Sequence, residues 1–171
     1  ASVTAALMFC FAPLSAVAAP FEDAVAAYNK GDFSTALQIW RPLADQGDAM
    51  AQIRIGGLYA DGDGVPQSYG EAMNWFRKAA DQGNARAQFN IGTLFYNGQG
   101  TPRSYPEALK LFNLAADQGH SSALFSLGDM FAQGQGVLKN EVEASAKYRL
   151  AAEQGHAGAQ FTLALRSAKG Q

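Results

Sequence analysis

Between Ala87 and Ala116, apolar residues fall into two runs with helical spacing. Ala87, Ile91, Leu94 and Phe95 stand at i, i+4, i+7 and i+8, one face of a helix. Ala108, Leu111, Phe112, Ala115 and Ala116 mark a second face with polar positions between them. Gly98-Gln99-Gly100 separates the runs, and Gly119 follows the second. This predicts two helices joined by a glycine loop and closed by a glycine stop. The same pattern is written upstream over Ala51–Asn84 and downstream over Ala123–His156, so that Gly83, Gly119 and Gly155 lie 36 residues apart. A constant period in this range predicts stacked helical units.

The recurring polar and glycine positions each have a structural reading. Gly56, Gly92 and Gly128 sit inside the first helix of each unit, where glycine costs about 1 kcal/mol against alanine. Their recurrence implies close approach of a neighbouring helix. Gly62-x-Gly64, Gly98-x-Gly100 and Gly134-x-Gly136 lack a preceding strand and the rest of a phosphate-binding fingerprint, so they read as structural turns. Ser68 with Glu71 and Ser104 with Glu107 spell a capping box at the start of the second helix. Asn140 with Glu143 is the same device with an asparagine cap, and Pro106 falls in the first turn, where its missing N–H does no harm.

The series Ala87, Ile91-Gly92, Phe95, Gly98, Gly100, then Ala108, Phe112, Ala115-Ala116 and Gln118-Gly119, with its copies before and after, resembles the Sel-1-like repeat family, a relative of the tetratricopeptide repeat. The family often has Asp where Ser68, Ser104 and Asn140 stand here, and all three are good caps. The resemblance implies an all-α fold, a right-handed α-solenoid of antiparallel helix pairs. It also implies a non-catalytic adaptor that organises other proteins, with some exported members assisting polysaccharide machinery.

The units are expected at residues 49–84, 85–120 and 121–156. Residues 20–48 match the second half of a unit (Ala36, Trp40 and Gly47 lie 36 before Ala72, Phe76 and Gly83) but have a short Lys30-Gly31-Asp32 turn, so they read as a divergent tetratricopeptide-like capping repeat. Its first helix is expected over about Phe21 to Asn29, with a kink or shifted hydrogen bond at Pro42. Residues 157–171 repeat only a first helix, with Arg166 and Ser167 in place of Met130 and Phe131, and are expected to give the C-terminal cap a more polar outer face. Residues 1–19, with an apolar run from Ala5 to Leu14 and then Ala16-Val17-Ala18, resemble the latter part of a secretory signal peptide cut near Ala18 or Ala19. The run is too short for a comfortable membrane span. The expectation is export to a Gram-negative periplasm or secretion, and no stable membrane span in the mature chain. The single cysteine, Cys10, lies in that leader, which leaves the mature chain to helix packing without disulfides.

Composition narrows the chemistry. A net charge of −2 with scattered basic residues argues against nucleic acid as a partner. His120 and His156 occupy the repeat position held elsewhere by Asp48 and Asn84, with no third ligand recurring beside them, so they read as loop residues rather than metal ligands. Glu71, Glu107 and Glu143 belong to caps, and no Ser/His/Asp set departs from the repeat period. An enzyme, a cofactor and a bound metal are therefore not expected.

What remains is the concave surface, where first-helix positions that change from copy to copy are free to recognise something. Met50, Arg86, Ser122 and Gly158 form one such row, and Ile53, Phe89, Phe125 and Phe161 another that suits either core packing or a ligand stripe. Gly57, Thr93, Asp129 and Leu165 form a third, and Ala60, Tyr96 and Ala132 a fourth. The candidates are Arg86, Phe89, Thr93 and Tyr96 of the central unit, with Arg54 and Asp129 from its neighbours. A protein partner is the first expectation. Cell-wall or exopolysaccharide glycan is the alternative, and a cell-wall or β-lactam hydrolase is the third, for which the sequence supplies no nucleophile.

Overall fold

The computed structural model describes residues 15–168, with side chains from residue 20 onward. The apolar run from Ala5 to Leu14 and Cys10 lie outside the described residues. The described chain is all helix: α1 (Ser15–Asn29), α2 (Phe33–Asp45), α3 (Ala49–Asp61), α4 (Tyr69–Ala80), α5 (Ala85–Asn97), α6 (Tyr105–Ala116), α7 (Ser121–Gln133), α8 (Glu141–Glu153) and α9 (Ala157–Ala168). Contacts run mainly between successive helices, densest within the pairs α1–α2, α3–α4, α5–α6 and α7–α8 and thinner between pairs. This is a solenoid in which each pair touches the next.

Each unit closes in the same way. Gly62, Gly98 and Gly134 end the first helix in the left-handed region, φ 80°, 72° and 71°, where a side chain would be strained. The glycine inside each first helix makes room for a ring. A Cβ at Gly92 would come within 2.7 Å of Phe112 Cε1, and one at Gly56 or Gly128 within 2.5 Å of Phe76 or Tyr148 Cε1. The neighbour that offsets the glycine cost is thus the aromatic of the unit's own second helix. The second glycine of each Gly-x-Gly meets the unit before: at Gly100 a Cβ would lie 2.6 Å from Tyr69 Cβ.

Ser68 and Ser104 cap α4 and α6, accepting from the Glu71 and Glu107 N–H at 3.2 and 3.4 Å. The reciprocal arm of the expected capping box is not made. The Ser68 and Ser104 N–H groups donate instead to Tyr59 and Phe95 carbonyls at 2.8 and 2.9 Å, which ties each loop back to its first helix. The core is a line of fully buried alanines, Ala51, Ala72, Ala87, Ala108, Ala123 and Ala144, flanked by Trp40, Ile55, Leu58, Phe112, Leu127 and Met130. Within each of two units an amide bond, Gln82 Nε2 to Gln52 Oε1 at 2.9 Å and Gln118 Nε2 to Gln88 Oε1 at 2.8 Å, satisfies the buried glutamines of α3 and α5.

Two expectations, for α1 and α9, need correction. Helix α1 begins at Ser15, not near Phe21, because the alanine-rich residues before Pro20 are good helix formers. Helix α2 runs on through Pro42, whose carbonyl accepts from the Gln46 N–H at 3.2 Å. Helix α9 does not offer the expected polar outer face. Arg166 turns onto α8, where it donates to Ser145 Oγ at 2.8 Å and pairs with Glu141. Phe161 and Leu165 stay 66% and 46% exposed, since no second helix closes over α9 among the described residues.

Candidate partner-binding groove

The first helices α3 and α5 border a groove of about 530 Å³. From α3 come Ile53, Arg54, Gly57 and Asp61, from α5 Arg86, Phe89, Asn90 and Thr93, and Tyr28, Gln67, Tyr69 and Gln99 close its ends. The two helices have the same length and are capped at the same repeat position: Asp48 accepts from the Ala51 N–H at 2.7 Å, and Asn84 from Arg86 and Ala87 N–H at 3.0 and 3.2 Å. Their side-chain rows are therefore in register.

Four of the candidate residues meet here: Arg54, Arg86, Phe89 and Thr93. Arg54 lies 5.9 Å over the Trp40 ring, and its buried Nε has no hydrogen-bond partner. Phe89 is half-buried, stacked on His120 at 4.7 Å and tilted against Phe112 at 5.5 Å. The row it belongs to is therefore packing within the unit as well as groove wall, with Ile53 buried at one end and Phe161 exposed at the other. Thr93 donates its hydroxyl to the Phe89 carbonyl one turn back, 3.0 Å.

Tyr96 and Asp129 are placed elsewhere. The Tyr96 ring packs on Tyr105 and its hydroxyl donates to Gln135 Oε1 of the next unit at 2.7 Å. Asp129 accepts the Tyr148 hydroxyl at 2.7 Å, and burial together with this bond and the Asp129 charge pushes the Tyr148 phenol well above its ordinary value. A separate depression of about 560 Å³ beside α8 and α9, lined by Val142, Ala146, Arg149 and Arg166, holds none of the candidates.

His120 and His156 stand in the turns between helices and there act as caps: Nδ1 of each accepts from the N–H of Ala123 and Ala159, at 3.3 and 3.1 Å. Burial first, then the Arg86 and His156 charges, hold His120 below its ordinary value of 6.5, which keeps the ring a neutral acceptor. The sequence held the signal for this, since Asp48, Asn84, His120 and His156 form a series at one repeat position whose first two members are standard caps. Sequence reasoning also missed Asn90 and Asp61. Arg54, Asn90, Ser126 and Thr162 share a position that is polar in every copy, and Asn90 makes no side-chain hydrogen bond among the described residues. Burial, and Asp63 beside it, raise the Asp61 carboxyl above its usual range.

Among the described residues no helix is long and apolar enough to cross a membrane, and no three His, Cys, Asp or Glu side chains converge as metal ligands. The arrangement has a groove, two cations, one carboxylate and an open amide. Nothing in it is disposed as a nucleophile with its base.

Comparison with known proteins gives this geometry its relatives. The Sel1 repeat model matches residues 49–84, 85–120 and 121–156, well over half of the chain. A protective antigen of uropathogenic Escherichia coli displaying an SLR fold is similar at 35% identity and TM-score 0.80, over 90% of this chain and 34% of that one. A Sel1 repeat protein from Oxalobacter formigenes is similar at 33% identity and TM-score 0.81, over 88% of this chain and 62% of that one. The chain thus spans about a third and under two thirds of these two proteins. Helicobacter pylori cysteine rich protein B shares the fold, at 17% identity and TM-score 0.60, over 77% of this chain and 94% of that one. A search of curated proteins gave no match. Ring-filled glycines, side-chain caps and a 36-residue match repeated three times place this chain in the Sel1 repeat family, whose members are generally non-catalytic and typically mediate protein–protein interactions.

Proposed function

We propose that this chain is an exported adaptor of the bacterial envelope that holds an extended protein segment in the groove between α3 and α5. The observation that carries this reading is the convergence of Arg54, Arg86, Phe89 and Thr93, variable positions of successive units, on one recess of about 530 Å³. Its walls are held by unit-to-unit packing, so a partner would be bound with little ordering on this side. Both indoles favour a protein partner over a glycan one. Trp40 and Trp75 are 0% and 4% exposed, so neither offers a sugar-stacking platform. The export part rests on the leader-like composition of residues 1–19.

The test is a photo-crosslinking residue at position 93 in the full chain, with a control at the exposed Lys110 on α6, irradiated in envelope extract. Discrete protein adducts from position 93 and none from position 110 are expected. Equal adducts at both, or none at 93, would remove the groove from the reading. Co-sedimentation with purified peptidoglycan in the absence of protein adducts would favour the glycan alternative.

A further inference from the structure

The groove is charged differently at its two ends. Arg54 and Asp61 are both on α3, seven residues apart and so on one face. At 1.5 Å per residue their Cα atoms are separated by about 10 Å along the axis. Arg86 is the second residue of α5. Its register partner in α3 is Met50, so it lies one turn further from Asp61 than Arg54 does. One end therefore carries two guanidinium groups and the other a carboxylate.

None of these three charges has an ion-pair partner among the described residues. The ion pairs among the described residues are Arg41–Asp45, Lys139–Glu141 and Arg166–Glu141. Arg54 is left against the Trp40 face with a buried Nε that has no partner. Arg86 acts on a cation-forming neighbour, His120. Between the two ends, Asn90 offers a free donor and acceptor, the pair that a peptide amide needs. Phe89 and Ile53 supply apolar wall. An extended peptide rises about 3.3 Å per residue, so about three residues span the distance from Arg54 to Asp61.

We propose that the groove recognises an extended peptide segment of paired opposite charges, with one Asp or Glu side chain held by Arg54 and Arg86 and a Lys or Arg about three residues away set against Asp61. This rests on the groove reading given above and adds the partner's chemistry to it. Asp61 repels a polyanion that fills the whole groove, which disfavours single-stranded nucleic acid there.

A library of random decapeptides, displayed and selected on the full chain, tests the pattern. Enrichment of an acidic residue with a basic one about three positions away is expected. The best peptide, remade with a fluorescent label, should lose about tenfold in affinity when Arg54→Gln and Arg86→Gln are combined. Asp61→Asn should cost about threefold, as a single exposed charge pair contributes less. Arg86 is exposed, so Arg86→Gln alone guards against a folding defect from Arg54 and should still lower affinity. Selected peptides without an acidic residue, or equal binding by the arginine variants, would overturn the charge pattern. If such peptides still lose binding with Asn90→Ala and Thr93→Leu, the groove reading survives and only this inference fails. If no selected peptide depends on groove residues, both fail.

Discussion

In the units at 49–84 and 85–120, Arg54, Arg86 and Asp61 border the groove without an ion partner among the described residues. In the last part of the chain, the comparable groups are taken up by the frame. Asp129, in register with Gly57 and Thr93, accepts the Tyr148 hydroxyl, and Arg166 ties α9 to Glu141 and Ser145. The difference follows from one position in the second helix. Phe76 and Phe112 fill the glycine notch with a plain ring, whereas the buried Tyr148 brings a hydroxyl that requires an acceptor. A phenylalanine in that place leaves the opposing first-helix position free to vary for recognition. A tyrosine recruits it.

The comparison assumes that the frame itself is the same in both regions, and the largest predicted effect tests this. Gly92→Ala and Gly128→Ala would place a Cβ 2.7 and 2.5 Å from buried rings. Each should destabilise by about 1–3 kcal/mol, even after the gain of about 1 kcal/mol in helix propensity. Urea unfolding of both variants measures it. A neutral or stabilising outcome at one site and not the other would show that the two regions close differently.

The next effect separates them. Tyr148→Phe leaves Asp129 without its donor and should cost about 1 kcal/mol, the net worth of one hydrogen bond. Adding Asp129→Thr recreates the Phe112–Thr93 pairing of the central unit and should recover most of the loss. A double-mutant cycle read from thermal or urea midpoints gives the coupling. No coupling would mean that Asp129 is as free as Thr93.

How much of this was legible depends on how local the chemistry is. The unit boundaries, the glycine turns and the serine caps were readable because each is decided within about four residues by backbone angle and side-chain reach. Arg54, Arg86, Phe89 and Thr93 were readable because register alone carries side chains of successive first helices to one side. Tyr96 was not placed correctly by register. Its direction is set by Gln135, 39 residues on, and by the Tyr105 ring, and no periodicity announces a bond between unlike positions. The capping box failed for a similar reason. The Ser68 and Ser104 N–H groups had a better acceptor in the preceding helix, which is a matter of loop path. Asn90 and the histidine caps were present in the pattern as polar columns and needed only to be read down the repeats.

The smallest predicted effect lies where the two regions meet. Asn84 caps α5 with a group that does not titrate, while His120 caps α7 with one that does. Burial lowers the His120 value in the folded chain below 6.5, so between that folded value and 6.5 the unfolded chain holds more protons. This contribution to stability is fully present above pH 6.5, is lost as pH falls toward the folded value, and changes no further below it. His120→Asn, which copies the Asn84 cap, should match the parent at pH 8 and lose less stability by pH 5. The difference in urea midpoints across that range reads it. Arg86→Gln removes one of the charges that depress His120, so the histidine titration followed by NMR should move upward. A variant in which Arg86→Gln leaves that titration unmoved would place the arginine's charge away from His120 and detach the groove's basic end from the cap of the following unit.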